Sequence, residues 1–362
     1  SVNEYDFFSY NYNVTAPATF FGYNTDDGVF LGGGVVIRRY GFRQKPYKSL
    51  QRIVANIALK DASFNFKYTG DFNKVFGNWG AHIDFSILAP KSSTNFFGLG
   101  NETTLLPYAP NIFYRLRYDN VYVFAALKRK IGKYQSLNIG PVYDYIKIEN
   151  APGRFLSSPE GQPYIQNFTA RNYAGGRLEY KIENIDDSVL TTRGYKWTVS
   201  ATQENEFKNS SLHPTNLQSE FCLYIPLINR SSIDIRAGGA TLINDFEFYQ
   251  ANTLGGQNAE RGSGYLRGYL RGRYSGRSVA YLNAELRIKL LTFHTYLFPG
   301  RLGILGFYDQ GRVWNDHETS NTWHSGYGGG FWISPFALAI INVTYAVSKE
   351  EKLYSVGLGF SF

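Results

Sequence analysis

The chain has 362 residues, a net charge of +8, 17% aromatic residues, 37 glycines and a single cysteine. That length allows two soluble domains or one large barrel, and a mean hydropathy of −0.29 excludes a bundle of membrane helices. With Cys222 alone, an internal disulfide is excluded as well.

Residues 1–18 carry Tyr5, Phe7, Phe8, Tyr10 and Tyr12 and read as an N-terminal strap or linker ahead of one barrel domain over residues 19–362. They have neither the basic start nor the apolar run of a signal peptide. The chain contains no methionine, so it is expected to be a processed or truncated piece of a longer product. Residues 19–24 and 29–39 flank Thr25-Asp26-Asp27-Gly28, a hairpin signal. Alternating stretches follow at 51–59, 62–70, 79–89, 111–127, 134–148, 168–182, 195–205, 216–226 and 232–243. After a long interruption they resume at 279–290, 301–313, 323–333, 336–347 and 353–362. The total is about 16 strands, an even number, as closed bacterial barrels have.

The connections alternate in length. Residues 90–110, 149–167, 206–215, 244–278 and 314–322 are long, whereas Lys130-Ile131-Gly132-Lys133, residues 227–231 and Ser334-Pro335 are short. One rim of long loops and one of short turns is the outer-membrane pattern, with the short turns periplasmic. Two segments depart from it: residues 40–50 make a long turn on the short rim, and Asp26-Asp27-Gly28 a short loop on the long one. The most apolar stretch, residues 331–347, is broken by Ser334-Pro335 and Asn342. It falls short of the roughly 20 residues of a spanning helix and reads as two strands meeting at a Ser-Pro turn.

The last ten residues place Tyr354, Val356, Leu358, Phe360 and Phe362 on one face, and Ser355, Gly357, Gly359 and Ser361 on the other. An apolar face toward lipid and a small, polar face toward a wet lumen account for this pattern. A soluble β-sandwich explains alternation but not an aromatic face that ends the chain. The fold class expected is all-β, a closed antiparallel transmembrane β-barrel.

Residues 254–277 read LGGQNAERGSGYLRGYLRGRYSGR and contain Arg261, Arg267, Arg271, Arg273 and Arg277. Three readings compete. Arginine with tyrosine suits nucleic acid, where Arg grips phosphate and Tyr stacks on bases. A solvated surface loop is the plainer account. The third follows from the next two strands. In residues 280–290, Ala280, Leu282, Ala284, Leu286, Ile288 and Leu290 share one face, which turns Tyr281, Asn283, Glu285, Arg287 and Lys289 inward. Phe307, Asp309, Gly311 and Val313 share a face of the following strand. Charge on a lipid face is costly, so Glu285 and Asp309 belong in the lumen. A loop that folds back could bring them a guanidinium, in the oriented, bidentate form of ion pair.

At these residues the sequence resembles the BamA/TamA-type outer-membrane assembly barrels and the related two-partner-secretion transporters. Leu266-Arg267-Gly268-Tyr269 resembles the V/L-R-G-F/Y motif of their sixth outer loop, and Leu254-Gly255-Gly256 its approach. Phe307-Tyr308-Asp309-Gln310-Gly311, continued by Arg312-Val313-Trp314, resembles the F-x-D-x-G strand motif. Glu285 stands where the family has its second acidic partner. Thr192-Arg193-Gly194-Tyr195 resembles a periplasmic turn, and Phe362 the terminal insertion signal. Residues 20–28 and 95–103 are similar to Bacteroidota members, some of which carry a metallophosphoesterase domain before the barrel.

The resemblance implies that Arg267 reaches Glu285 and Asp309, that Gly268 permits a tight turn and that Tyr269 packs inside, with Phe307 and Gly311 on the same wall. Arg271 and Arg273, in a near repeat of the motif, compete for Arg267's place. It also implies a lateral seam between the first and last strands, comprising Phe20, Gly22, Val356, Gly357, Gly359, Phe360 and Phe362. Glycines there loosen the last strand. The implied function is insertion of outer-membrane proteins or polypeptide translocation through that seam. The alternative is an anchor or translocator for a passenger domain. The partners implied are outer-membrane lipid and lipopolysaccharide, client barrel proteins, and periplasmic or surface accessory subunits, with no nucleic acid. His82, His213, His294, His317 and His324 show no metal-ligand spacing. His82 and Asp84 share a face without forming a triad, so neither catalysis nor a cofactor is expected.

Overall fold

Alternation along the sequence becomes one antiparallel sheet that closes on itself. The computed structural model describes residues 13–24, 28–41, 44–60, 62–165, 167–209, 211–228, 231–256, 264–294, 299–316, 318–335 and 340–358. The first eleven strands are β1 (Val14–Asn24), β2 (Gly28–Gly41), β3 (Gln44–Ala58), β4 (Ser63–Phe76), β5 (Trp79–Asn95), β6 (Arg115–Ile131), β7 (Gln135–Ile148), β8 (Arg171–Ile185), β9 (Gly194–Glu206), β10 (Thr215–Pro226) and β11 (Ser232–Ile243). A long loop holds the short pair β12 (Asn252–Leu254) and β13 (Tyr274–Gly276). The wall then continues with β14 (Ser278–His294), β15 (Pro299–Trp314), β16 (His324–Pro335), β17 (Ile341–Val347) and β18 (Lys352–Leu358). Each wall strand pairs with the next, β11 pairs with β14, and β18 returns to β1, which closes a 16-stranded barrel. No helix among the described residues is long and apolar enough to cross a membrane.

Period-two patterning fixes which side chains face which way. Leu178, Trp197, Leu217, Phe221, Leu282, Leu286, Tyr308, Phe331 and Tyr354 are exposed on the outer surface. Their neighbours in sequence point inward and are buried, as Glu179, Cys222, Glu285, Phe307, Trp332 and Ser355 are. An apolar band outside and polar or small groups inside is how a barrel solves the problem of lipid around a wet lumen.

The outer mouth is capped. Phe96, Phe97, Tyr114, Phe155, Leu156, Phe248 and Leu270 come from separate outer loops and form one buried cluster with wall residues Leu116, Tyr118 and Ile148. Beneath it lies a cavity of about 670 Å3 lined by polar wall residues that include Asn56, Asp84, Asp144, Arg177 and Glu204.

Several boundaries differ from the sequence expectation. β1 begins at Val14, so residues 14–18, expected in the strap, are strand paired with β2 from Val14↔Arg38 to Ala18↔Gly34. Proline at 17 does not stop it. The turn expected over residues 40–50 shrinks, since β2 runs to Gly41 and β3 starts at Gln44. Polar and basic residues there suspended the apolar alternation but not the ladder, because half of a barrel wall tolerates polar groups. Ser334 and Pro335 belong to β16, registered with Arg301 and Gly300, and not to a turn. A proline at a strand's end has no ladder bond to lose. Residues 111–114 form a 3-10 turn before β6 and not its first residues.

Candidate functional site: an arginine inside the wall

The site is assembled on the inward ladder of β14 and β15. Register places Asn283 opposite Asp309 and Glu285 opposite Phe307, so all four side chains face the lumen. The 244–277 loop descends onto this ladder. Its β12–β13 hairpin shapes the descent, and Gly256 and Leu266 are bridged across it.

Arg267 is at the tip. Its Nε and Nη2 donate to Asp309 Oδ2 and Oδ1 at 2.7 and 2.8 Å, a bidentate pair. Its backbone amide donates to the same Oδ2 at 3.0 Å, and its Nη1 donates to Glu285 Oε2 at 2.5 Å. The guanidinium lies 3.6 Å over the Phe307 ring, so cation–π attraction adds to the ion pairs. Arg267, Glu285 and Asp309 are 2%, 2% and 0% exposed. Charges this buried persist only when paired and hydrogen-bonded. The network continues: Arg287 Nε donates to Glu285 Oε1 at 2.7 Å, and Arg287 Nη1 lies 2.5 Å from Asp234 on β11.

The backbone makes room for the loop. Gly268 has φ +92°, and a Cβ there would stand 2.9 Å from the Val347 carbonyl carbon. On β16, a Cβ at Gly326 would stand 1.9 Å from the Arg267 carbonyl oxygen. A side chain at either position displaces the tip. Tyr269 is buried beside Tyr274, with ring centroids 5.7 Å apart.

The other arginines of the loop have different partners. Arg273 Nε and Nη2 donate to Glu350 Oε2 and Oε1 at 2.6 and 2.7 Å, and Tyr274 Oη donates to Glu350 Oε1 at 3.0 Å. Ser348 Oγ donates to the Gly268 carbonyl at 2.7 Å. Ser348 and Glu350 lie in the connection between β17 and β18, so the loop also grips the barrel's last hairpin. Arg271 donates to the Ser93 carbonyl. Arg277 Nη2 lies 2.5 Å from Asp316. Arg261 lies outside the described residues.

The structure therefore brings Arg267, Gly268, Tyr269, Glu285, Phe307, Asp309 and Gly311 to one wall. Gly311 faces Leu254, whose Cδ1 would lie 2.8 Å from a Cβ at that position. Sequence reasoning missed Tyr265, Asn283, Arg236, Arg287, Asp234, Ser348 and Glu350 as participants. Asn283 Nδ2 donates to the Tyr265 carbonyl at 3.1 Å, and the Arg236 guanidinium stacks 4.0 Å over the Tyr265 ring. The inward parity of Asn283 and Arg287 was a readable signal. Nothing local marked Ser348 and Glu350.

The described residues expected at the seam lie on the two strands that meet there, Phe20 and Gly22 on β1 and Val356 and Gly357 on β18. Phe20 and Gly22 are registered with Gly32 and Phe30 of β2, and Val356 and Gly357 with Val343 and Asn342 of β17. Between β1 and β18, the single registered pair among the described residues is Tyr23↔Val356. Gly359, Phe360 and Phe362 lie outside the described residues.

A family model described as the Omp85 superfamily domain matches residues 9–362. Among solved structures, the fold is similar to BamA from Haemophilus ducreyi lacking POTRA domains 1–3, with TM-score 0.64 and 14% identity over 96% of this chain and 70% of that one. It is similar to CdiB from Escherichia coli, with TM-score 0.58 and 13% identity over 96% of this chain and 62% of that one. CdiB from Acinetobacter baumannii gives TM-score 0.55 and 12% identity over 96% and 59%. The chain thus spans less than two thirds of either CdiB chain. No curated protein sequence matches it.

Proposed function

Since the chain belongs to the Omp85 superfamily and forms an integral outer-membrane β-barrel, we propose that it inserts or translocates other polypeptides at the β1–β18 seam. The observation that carries this reading is the closure itself: the first and last described strands meet, with Tyr23 registered opposite Val356. β1 keeps an unbroken register with β2 from Val14↔Arg38 to Asn24↔Gly28, and β17 with β18 from Ile341↔Leu358 to Val347↔Lys352. Only Tyr23↔Val356 joins β1 to β18 among the described residues. Unpaired backbone groups in lipid are costly; β1 and β18 are neighbouring wall strands that no connection of the chain joins, so this joint can part while each strand keeps its other neighbour. An edge opened there can take a client strand by β-augmentation.

In this reading, the arginine network holds the opposite end of the working half. Arg267 anchors the loop to β14 and β15, and Glu350 ties the same loop to the hairpin that ends in β18. The seam can part while the hairpin's outer end stays restrained. Outer-membrane lipid and lipopolysaccharide surround the wall, client barrel proteins are the substrates, and accessory subunits meet its rims.

The test is a cysteine pair, Tyr23→Cys with Val356→Cys, in a Cys222→Ser background. Reconstituted in liposomes and reduced, the variant should speed folding of an unrelated outer-membrane protein. Oxidised, it should lose that effect. Undiminished activity when oxidised sinks the seam. Absence of activity in the unmodified barrel favours the anchor reading.

A further inference from the structure

The connection between β8 and β9, residues 186–193, does not stay at its own rim. In the ring of strands it stands across from the seam, with β2 to β7 on one side and β10, β11 and β14 to β17 on the other. Yet Leu190 is buried in a cluster with Leu305 and Phe307 of β15, Trp332 of β16, Ala346 of β17 and Ile340 just before β17, with Val189 packed against it. The strands β10, β11 and β14 intervene along the wall, so the turn reaches these residues through the lumen.

The turn is built to hold its shape while doing so. Asp186 Oδ1 accepts from the amides of Asp187, Thr192 and Arg193 at 3.0, 2.9 and 3.1 Å, and its Oδ2 accepts from Thr192 Oγ1 at 2.7 Å. Asp187 Oδ1 accepts from the amides of Val189 and Leu190 at 2.8 and 3.3 Å. Thr191 Oγ1 donates to the Asp187 carbonyl at 2.7 Å. Two carboxylates thus satisfy a run of backbone donors with no help from the wall. Gly194, with φ +121°, closes the turn where a Cβ would meet the Asn184 carbonyl oxygen at 2.0 Å. A self-supporting turn can leave the wall without unfolding.

The receiving surface is shaped for it. Trp332 packs against Gly303, where an added Cβ would stand 2.3 Å from its ring, and its Nε1 donates to the Ile304 carbonyl at 3.2 Å. That leaves a smooth apolar patch at the short-turn end of β15–β17, an inward face otherwise made of glycine and small polar groups. Phe307 belongs both to this patch and, through its ring, to the Arg267 site.

We propose that the 186–193 turn is an inner stopper: it closes the periplasmic mouth of the lumen by seating Val189 and Leu190 on the Trp332 patch, and withdraws as a rigid unit to open it. The outer loops cap one end of the barrel and this turn the other, and both rest on β15. This goes beyond the seam reading and does not depend on it.

Ser334 is a built-in reporter, fully buried on the inward face at the short-turn end of β16. In a Cys222→Ser barrel held in nanodiscs, Ser334→Cys should react slowly with a membrane-impermeant maleimide. Adding Val189→Gly with Leu190→Gly should raise that rate by at least about tenfold, as loss of local protection does, while the barrel keeps its heat-dependent gel shift. An unchanged rate in a folded barrel overturns the proposal. A second comparison holds if the double glycine variant fails to fold. Ser188→Cys, exposed at the turn's crest, should react fast and Leu190→Cys slowly; equal rates overturn the seating.

Discussion

The wall at β14–β15 and the wall at β1–β18 come from the same alternation, yet they are held in opposite ways. At β14–β15 the ladder is long, from Ser278↔Trp314 to His294↔Pro299, and buried ion pairs on its inner face fasten a loop to it. At β1–β18 a single pair, Tyr23↔Val356, is registered among the described residues. The lesson is that backbone pairing alone does not rank the strength of a barrel wall. What faces the lumen adds to it, and at β14–β15 it adds a nearly water-free ion-pair network that fastens a loop.

The strongest way to break that contrast is Arg267→Ala. It takes the cation from buried Asp309 and leaves Glu285 with Arg287 alone, a loss of about 3–5 kcal/mol. The temperature of the heat-dependent gel shift in detergent should fall sharply. Arg267→Lys should recover only part, since an ammonium cannot reproduce the two-pronged contact to Asp309. Unchanged melting would mean that the loop tip adds nothing to the wall.

Glu350→Gln comes next. It removes the bidentate charge at Arg273 while keeping the shape, and should cost about 1–2 kcal/mol. The informative readout is local: backbone hydrogen exchange should quicken over 348–358 and stay slow in β14. Even quickening around the barrel would erase the distinction between the fastened arc and the rest.

Val356→Ala trims an apolar side chain at the seam and should change stability by no more than about 0.5 kcal/mol. A loss as large as that of Glu350→Gln would show the seam to be as firmly held as the other arc.

The smallest effect is on acid. Burial works against the Asp186 carboxylate, but hydrogen bonds from Thr192 and from the Arg193 and Asp187 amides outweigh it and hold its carboxyl below the ordinary value. A carboxyl lowered in the folded state stabilises the fold above its unfolded value, and that contribution is lost as pH falls through the folded value. Seating of the inner turn should therefore hold through neutral pH and loosen only below the usual carboxylate range. Labelling of Leu190→Cys against pH measures it, and Asp186→Asn should flatten the curve.

Much of this was legible in the chain. Parity put Glu285 and Asp309 in the lumen, because a charge facing lipid is too costly. Once they were there, a glycine-flanked arginine in the preceding loop was the natural partner. Parity could not choose among Arg267, Arg271 and Arg273, which sit in near-identical sequence. Space chose: Gly326 leaves a gap for the Arg267 backbone, and Glu350 waits beside Arg273. The boundary at Ser334-Pro335 was misread because proline signals a turn in isolation, whereas at a strand's end its missing amide costs nothing.

The sequence by itself determined the period-two pattern, and with it the number of wall strands, their faces, and the sign of each inward charge. These are local properties, set by the alternation of Cβ directions and the cost of charge in lipid. Only the tertiary structure decided which distant groups meet. Arg273 with Glu350 and Leu190 with Trp332 join segments far apart in the chain, and no local pattern records such a pairing. Closing the sheet into a ring supplies it: the curvature of the wall brings opposite arcs within reach of one loop from outside and one turn from within.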